Sequence, residues 1–164
     1  MKTTRISQIG LILFIVISLF SCASNKTITK NIDAQSIKER IDNKQYTIDV
    51  DRMVPVGGQS RHLTSNYSLT VKGDTVVSHL PYFGQAYSVP YGGGKGLIFE
   101  APITVYTISY DEKRGAEISF QTRSEDDVYR FSIQIFDNGS ASIQVNPNNR
   151  QAIRFYGNLD ISND

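Results

Sequence analysis

Along most of the chain, apolar residues fall at every second position. Tyr46, Ile48 and Val50 alternate with Thr47, Asp49 and Asp51, the period of a strand with one buried face. Tyr67, Leu69 and Val71 repeat it, turn at Lys72-Gly73-Asp74 and return along Val76 to Leu80, which predicts a hairpin. Leu97-Ile98-Phe99 reads as a short strand closed by Ala101-Pro102, and the segments 103–110 and 116–123 flank a turn at 111–115. In a third hairpin Tyr129, Phe131, Ile133 and Ile135 lead into Asp137-Asn138-Gly139 and out along Ala141, Ile143 and Val145. A last strand sets Ile153, Phe155 and Leu159 on one face, while Glu117, Ser119, Gln121, Arg130, Gln134 and Gln144 occupy the opposite face of theirs.

One stretch keeps the other period. Ile37 and Ile41 stand four apart, with Asp33 as N-cap, Ile32 before it in the hydrophobic-staple position, and Lys38, Arg40 and Lys44 toward the C-terminal end. A helix of about ten residues with so narrow an apolar stripe does not hold alone and has to dock on the sheet. The fold expected is therefore mainly β: an antiparallel meander of about eight or nine strands, closed as a sandwich or partial barrel, with one short N-terminal helix. The pattern leaves a closed barrel and an open sheet equally available.

Residues before that helix belong to something else. Lys2 and Arg5 precede an apolar run ten residues long at 11–20, half the length a bilayer-spanning helix needs, so 1–21 reads as a signal peptide. Leu19-Phe20-Ser21-Cys22 resembles the lipobox of bacterial lipoproteins, in which the cysteine is lipidated and the chain is cut just before it. Cys22 is the only cysteine, which excludes an internal disulfide and a multi-cysteine metal site. Residues 22–32 then form a polar tether and 33–160 a single β-rich domain. Partnership with the membrane is expected through the lipid on Cys22. The residue after the cysteine is Ala23, with no aspartate and no acidic run following it. By analogy with envelope lipoproteins this points to the outer membrane, facing the periplasm.

Charge removes one class of partner. Loss of Lys2 and Arg5 leaves 15 basic residues against 16 acidic ones, a net charge of −1, which offers no grip on nucleic acid. The glycine-rich stretch Pro90-Tyr-Gly-Gly-Gly-Lys-Gly96 is not a phosphate loop. Gly94 and Lys95 fit, but Val89 holds the first glycine position, Gly96 the hydroxyl position, and a strand follows instead of a helix. Residues 81–96 instead read as a long crossover, with Tyr82, Phe83, Tyr87 and Tyr91 packed against the sheet end. The sharper reading makes those four aromatics a binding lip, together with the turn-rich segment Pro55-Val-Gly-Gly-Gln-Ser60.

Pro55-Val-Gly-Gly-Gln-Ser60, Tyr67-Ser-Leu-Thr-Val71 with Gly73-Asp74, and above all Leu80-Pro-Tyr-Phe-Gly-Gln-Ala-Tyr87 resemble domain-of-unknown-function family 4251. These are small lipoproteins or secreted proteins of Gram-negative envelopes. The resemblance runs from about Lys38 to Leu159 and includes Gly139 with Ala141, and Tyr156 with Gly157. It implies an envelope location and a β-rich fold, and carries over no catalytic residue.

Signs of catalysis are thin. Ser60, His62 or His79, and Asp49, Asp51 or Asp74 could only form a triad by convergence in space, and no nucleophile elbow or zinc-protease helix is present. Two separated histidines supply no metal site. Glu125-Asp126-Asp127 lacks the spaced oxygens of a calcium loop and reads as a solvated turn. No cofactor is expected. The function expected is a lipid-anchored, non-enzymatic binding or structural module of the envelope. A small β-barrel carrier of an apolar ligand is the second reading, and a hydrolase using His62 or His79 the third.

Overall fold

The structure, a computed structural model, describes residues 34–87, 96–111 and 114–162. Helix α1 (Ala34–Asp42) precedes eight strands: β1 (Gln45–Pro55), β2 (Arg61–Lys72), β3 (Thr75–Leu80), β4 (Leu97–Asp111), β5 (Gly115–Arg123), β6 (Val128–Ile135), β7 (Ser140–Pro147) and β8 (Ile153–Leu159). Each pairs antiparallel with the next, and β8 pairs with β1, so the sheet closes into a barrel. Closure pairs the first strand with the last, while β2 before Ser68 and β4 after Ile103 each keep one paired side. Asp33, the expected N-cap, and Ile32 lie outside the described residues, as do Cys22 and Tyr91.

The strand count settles at eight because 97–99 and 103–110 are one strand. β4 pairs β3 through its first half, Leu97↔Leu80 to Pro102↔Thr75, and β5 through its second, Ile103↔Thr122 to Asp111↔Gly115. Pro102 falls where the strand changes neighbours and ends no strand. Between Thr104 and Thr107 two residues, Val105 and Tyr106, oppose the single Phe120. This bulge places Val105 at φ 54°, exposed, and reverses the alternation: the covered positions shift from Phe99, Ala101 and Ile103 to Tyr106 and Ile108. A second bulge at Val50/Arg52 in β1 shifts the buried set from Tyr46, Ile48 and Val50 to Met53.

The seam between β1 and β8 is tight. A Cβ on Gly157 would stand 1.9 Å from the Asp49 carbonyl oxygen and 2.9 Å from Val50 Cα. The strands close at this register because position 157 has no side chain. At the β4–β5 turn, Gly115 sits at φ 74° with its Cβ direction blocked by the Ile135 carbonyl.

The inward faces fill the barrel. Ile48, Leu69, Val71, Val76, Leu80, Leu97, Ile143, Val145 and Phe155 are buried without measurable exposure, as expected of an eight-stranded barrel, whose bore is just wide enough for side chains. A ladder of rings crosses it: Tyr106 to Phe120 at 6.0 Å, Phe120 to Phe131 at 4.8 Å, Phe131 to Phe99 at 6.5 Å and Phe99 to Tyr129 at 4.6 Å. Each such pair adds about 0.5–1.5 kcal/mol beyond its area burial. Glu117, Ser119, Gln121 and Arg130 point outward and are exposed. The wall formed by β5–β8 is thus apolar inside and polar outside, the inverse of a lipid-facing barrel.

Candidate functional site

Strand directions divide the loops between two ends. One end carries α1 and the turns at 73–74 and 136–139, and the other carries 56–60, 81–87, 124–127 and 148–152. The second end holds the aromatic positions singled out in the sequence. Tyr82 is half-buried and structural. Its hydroxyl donates to the carbonyls of Gln85 and Gln151, each at 3.0 Å, and Gly84 lies so close that a Cβ there would meet the Tyr82 hydroxyl at 2.7 Å. Ala86 forms an antiparallel bridge with Arg150, and the Tyr87 amide donates to the Asn149 carbonyl. Residues 82–87 are therefore stitched by backbone bonds to the β7–β8 connection.

Those bonds leave two rings outside. Phe83 is 48% exposed and Tyr87 70%, far above what a packed crossover aromatic retains. The Arg61 guanidinium lies 5.4 Å from the Phe83 ring centroid. The structure thus brings the start of β2, after the 55–60 turn, up to the crossover. Of the four aromatics, Tyr82 supports the lip, Phe83 and Tyr87 form its surface, and Tyr91 falls outside the described residues.

Beneath the lip lie two charged residues that sequence reasoning missed. Asp127, expected in a solvated turn, is 5% exposed. Its carboxylate accepts from the amides of Val128 at 2.7 Å, Asn148 at 3.2 Å and Asn149 at 3.1 Å, so it is the acceptor that ties the β5–β6 turn to the β7–β8 connection. The correction has a plain cause: two of its three partners are 21 and 22 residues away, and a local pattern cannot see them. Arg150 is 7% exposed, its guanidinium 5.4 Å from the Tyr82 ring, and its Nε finds no hydrogen-bond partner among the described residues. Burial pushes the Tyr82 hydroxyl pKa up, with Arg150 pulling it back in part. Tyr129, whose hydroxyl donates to the Gly96 carbonyl at 3.2 Å, is likewise raised by burial.

Of the candidate triad residues, His62 is the cross-strand partner of Arg52, next to Asp51, while His79 and Asp74 have other partners. His79 Nδ1 contacts the Asn66 carbonyl at 3.1 Å, its ring tilts against Tyr67, and Asp74 pairs with Lys44 at 2.8 Å. Among the described residues no three His, Cys, Asp or Glu side chains converge as a metal site.

Fold and site together define a small, closed, eight-stranded antiparallel barrel with a helix at one end and an aromatic lip at the other. The family model of the Domain of unknown function (DUF4251) matches residues 29–159, and the chain belongs to that family. Its fold is similar to the crystal structure of a DUF4251 family protein from Bacteroides eggerthii DSM 20697. That likeness has a TM-score of 0.62 at 19% identity, covering 79% of this chain and 87% of that one. No curated protein matches the chain.

Proposed function

We propose that this protein is a non-enzymatic binding module of the bacterial envelope, tethered through a lipid on Cys22 to the outer membrane and facing the periplasm. It recognises its partner through Phe83 and Tyr87 at the lip. The supporting observation is the contrast between a bore crossed by stacked rings and two rings left in solvent beside Arg61. Exposed rings with a neighbouring guanidinium suit a ligand or protein surface that is partly apolar and partly polar. A closed barrel is also the outline of a carrier. Against a carrier stands the Tyr106–Phe120–Phe131–Phe99–Tyr129 ladder, which occupies part of the interior that an apolar cargo of about 300 Å³ or more would need.

Native mass spectrometry of the full chain purified from its own envelope tests this reading. A co-purifying mass that disappears in the Phe83→Ala/Tyr87→Ala double variant is expected. Equal retention by that variant, or a small apolar adduct that it keeps, sinks the lip reading and favours a carrier. Separately, Cys22→Ser should move the chain from the membrane to the soluble fraction, and its staying in the membrane would refute the lipid tether.

A further inference from the structure

On the outer wall of the barrel, away from the lip, a groove of about 420 Å³ crosses the sheet from β4 to β8. Side-chain length explains why a convex wall is hollow there. Ser119 and Ser132 are cross-strand partners in the middle of the wall, and their short side chains let the floor reach Ile118 and Ile133 of the same strands. Longer side chains rise around them: Glu117 and Gln134, paired on β5 and β6, then Gln144 and Arg154, paired on β7 and β8.

Several of these groups are held in place before anything binds. The Thr107 hydroxyl meets Ser119 Oγ at 2.7 Å, Arg154 Nη2 donates to Gln144 Oε1 at 2.7 Å, and Gln134 Nε2 donates to the Arg114 carbonyl at 3.3 Å. Thr107, Ser119, Ser132, Gln144 and Arg154 form one continuous row across five strands. Neighbouring positions in such a row are about 4.8 Å apart.

We propose that this groove binds a neutral saccharide chain laid across the strands, along the row of hydroxyl and carboxamide groups. Three features of the groove select that chemistry. The lining offers donors and acceptors throughout and little apolar surface, so an occupant must replace many water hydrogen bonds with its own. Charge is balanced, with Glu117 and Arg154 the ionic side chains among the described residues that line it, so neither an anion nor a cation is favoured overall. An extended peptide binds a sheet mainly by adding a strand at an edge, whereas this groove crosses the strands over the paired positions of β4 to β8. A polyhydroxylated chain needs no edge, and the strand spacing is close to the advance of one pyranose unit. This surface is separate from the lip and does not depend on it.

The test is a titration of the ¹⁵N-labelled full chain with maltotetraose, with tetra-N-acetylchitotetraose and with tetraserine, followed by two-dimensional NMR. One of the two tetrasaccharides is expected to shift Ser119, Ser132, Gln144 and Arg154 with a Kd of about 1 mM, the weak range fitting a site without a stacking ring. Ser132→Leu, which fills the floor from an exposed position, should weaken binding about tenfold or more while the spectrum stays dispersed. Gln144→Ala, a milder change should Ser132→Leu disturb the fold, should weaken it about fivefold, the worth of one hydrogen bond. The proposal is overturned if neither tetrasaccharide shifts these residues, if the shifts fall on the lip instead, if both variants bind as well as the parent, or if tetraserine binds equally well.

Discussion

The two ends of the barrel are closed by different chemistry. At the helix end, side chains do the work. Ile37 and Ile41 are buried, and the Tyr110 hydroxyl donates to Asp42 Oδ1 at 2.5 Å, while Lys38 pairs with Asp42 at 2.7 Å and lies 4.4 Å from the Tyr110 ring centroid. The Tyr46 and Tyr106 hydroxyls meet at 3.1 Å, and Lys44 bridges to Asp74. At the lip end, Asp127 and Tyr82 bond to backbone amides and carbonyls, and the aromatic surface left over is not covered by described residues. A side-chain seal buries its apolar groups and finishes the domain. A backbone seal fixes the course of a loop and leaves its side chains free, which is what recognition requires.

The ring ladder links the two ends, so its loss should weaken both. Phe120→Ala should cost about 4 kcal/mol through lost burial and a residual cavity, read as a fall in denaturation midpoint with amide protection lost at α1 and at 82–87 together. A local response at one end only would show that the ladder is not a shared core.

Asp127→Ala should separate the ends. It removes the carboxylate acceptor of the Val128 and Asn149 amides, while Asn148 keeps the Val128 carbonyl at 3.0 Å, at about 1–3 kcal/mol for each buried amide, for a loss of about 3 kcal/mol. Hydrogen exchange should speed up at 147–151 and 82–87 while α1 keeps its protection; unchanged exchange at 82–87 would mean the crossover stands without it. Ile41→Ala should do the reverse. Removing half the apolar anchor of α1 should cost about 2 kcal/mol, limited to the docking free energy of the helix, with rapid exchange over 34–42 and a lip end that stays intact.

pH should act mainly at the helix end. The Lys38 bond, and then the Tyr110 hydroxyl, hold the Asp42 carboxyl below its ordinary 3.8. A depressed acid contributes stability above that ordinary value and loses it as pH falls through the lower, folded one. Tyr46, Tyr106 and Tyr110 are each raised first by burial. Their contribution is therefore present below the ordinary 10.0 and fades as pH rises through the folded values. Tyr110→Phe should raise the Asp42 midpoint part of the way back, since Lys38 remains, measurable by carboxyl ¹³C titration. An unmoved midpoint would mean that the hydroxyl does not reach Asp42. The smallest stability effect belongs to Phe83→Ala, within about 0.5 kcal/mol as for exposed positions generally; a larger loss of melting temperature would make that ring core instead of lip.

Strands, turns and helix were legible because they are local. Alternation in 46–50, 67–71, 129–135 and 141–145 names the buried residues of β2, β6 and β7 and all but Met53 of β1, and Gly73 and Gly139 sit at positive φ in the turns they mark. The bulge at Val105/Tyr106 was not legible, because it answers to Phe120 and Tyr46, partners met only in space. Nor was the site complete. Phe83 and Tyr87 stood out as aromatics among glycines, but Arg61, Asp127 and Arg150 join them through contacts across 21 residues or more.

The sequence by itself determined an antiparallel β domain, its docked helix, its family and the inward set of most strands, since each follows from a period of two or four residues or from a short string of side chains. Only the tertiary structure decided that the sheet closes. Closure depends on Gly157 passing beneath the Asp49 carbonyl and on β4 passing from β3 to β5 at Pro102. These are meetings of residues far apart in the chain, and no local pattern encodes them.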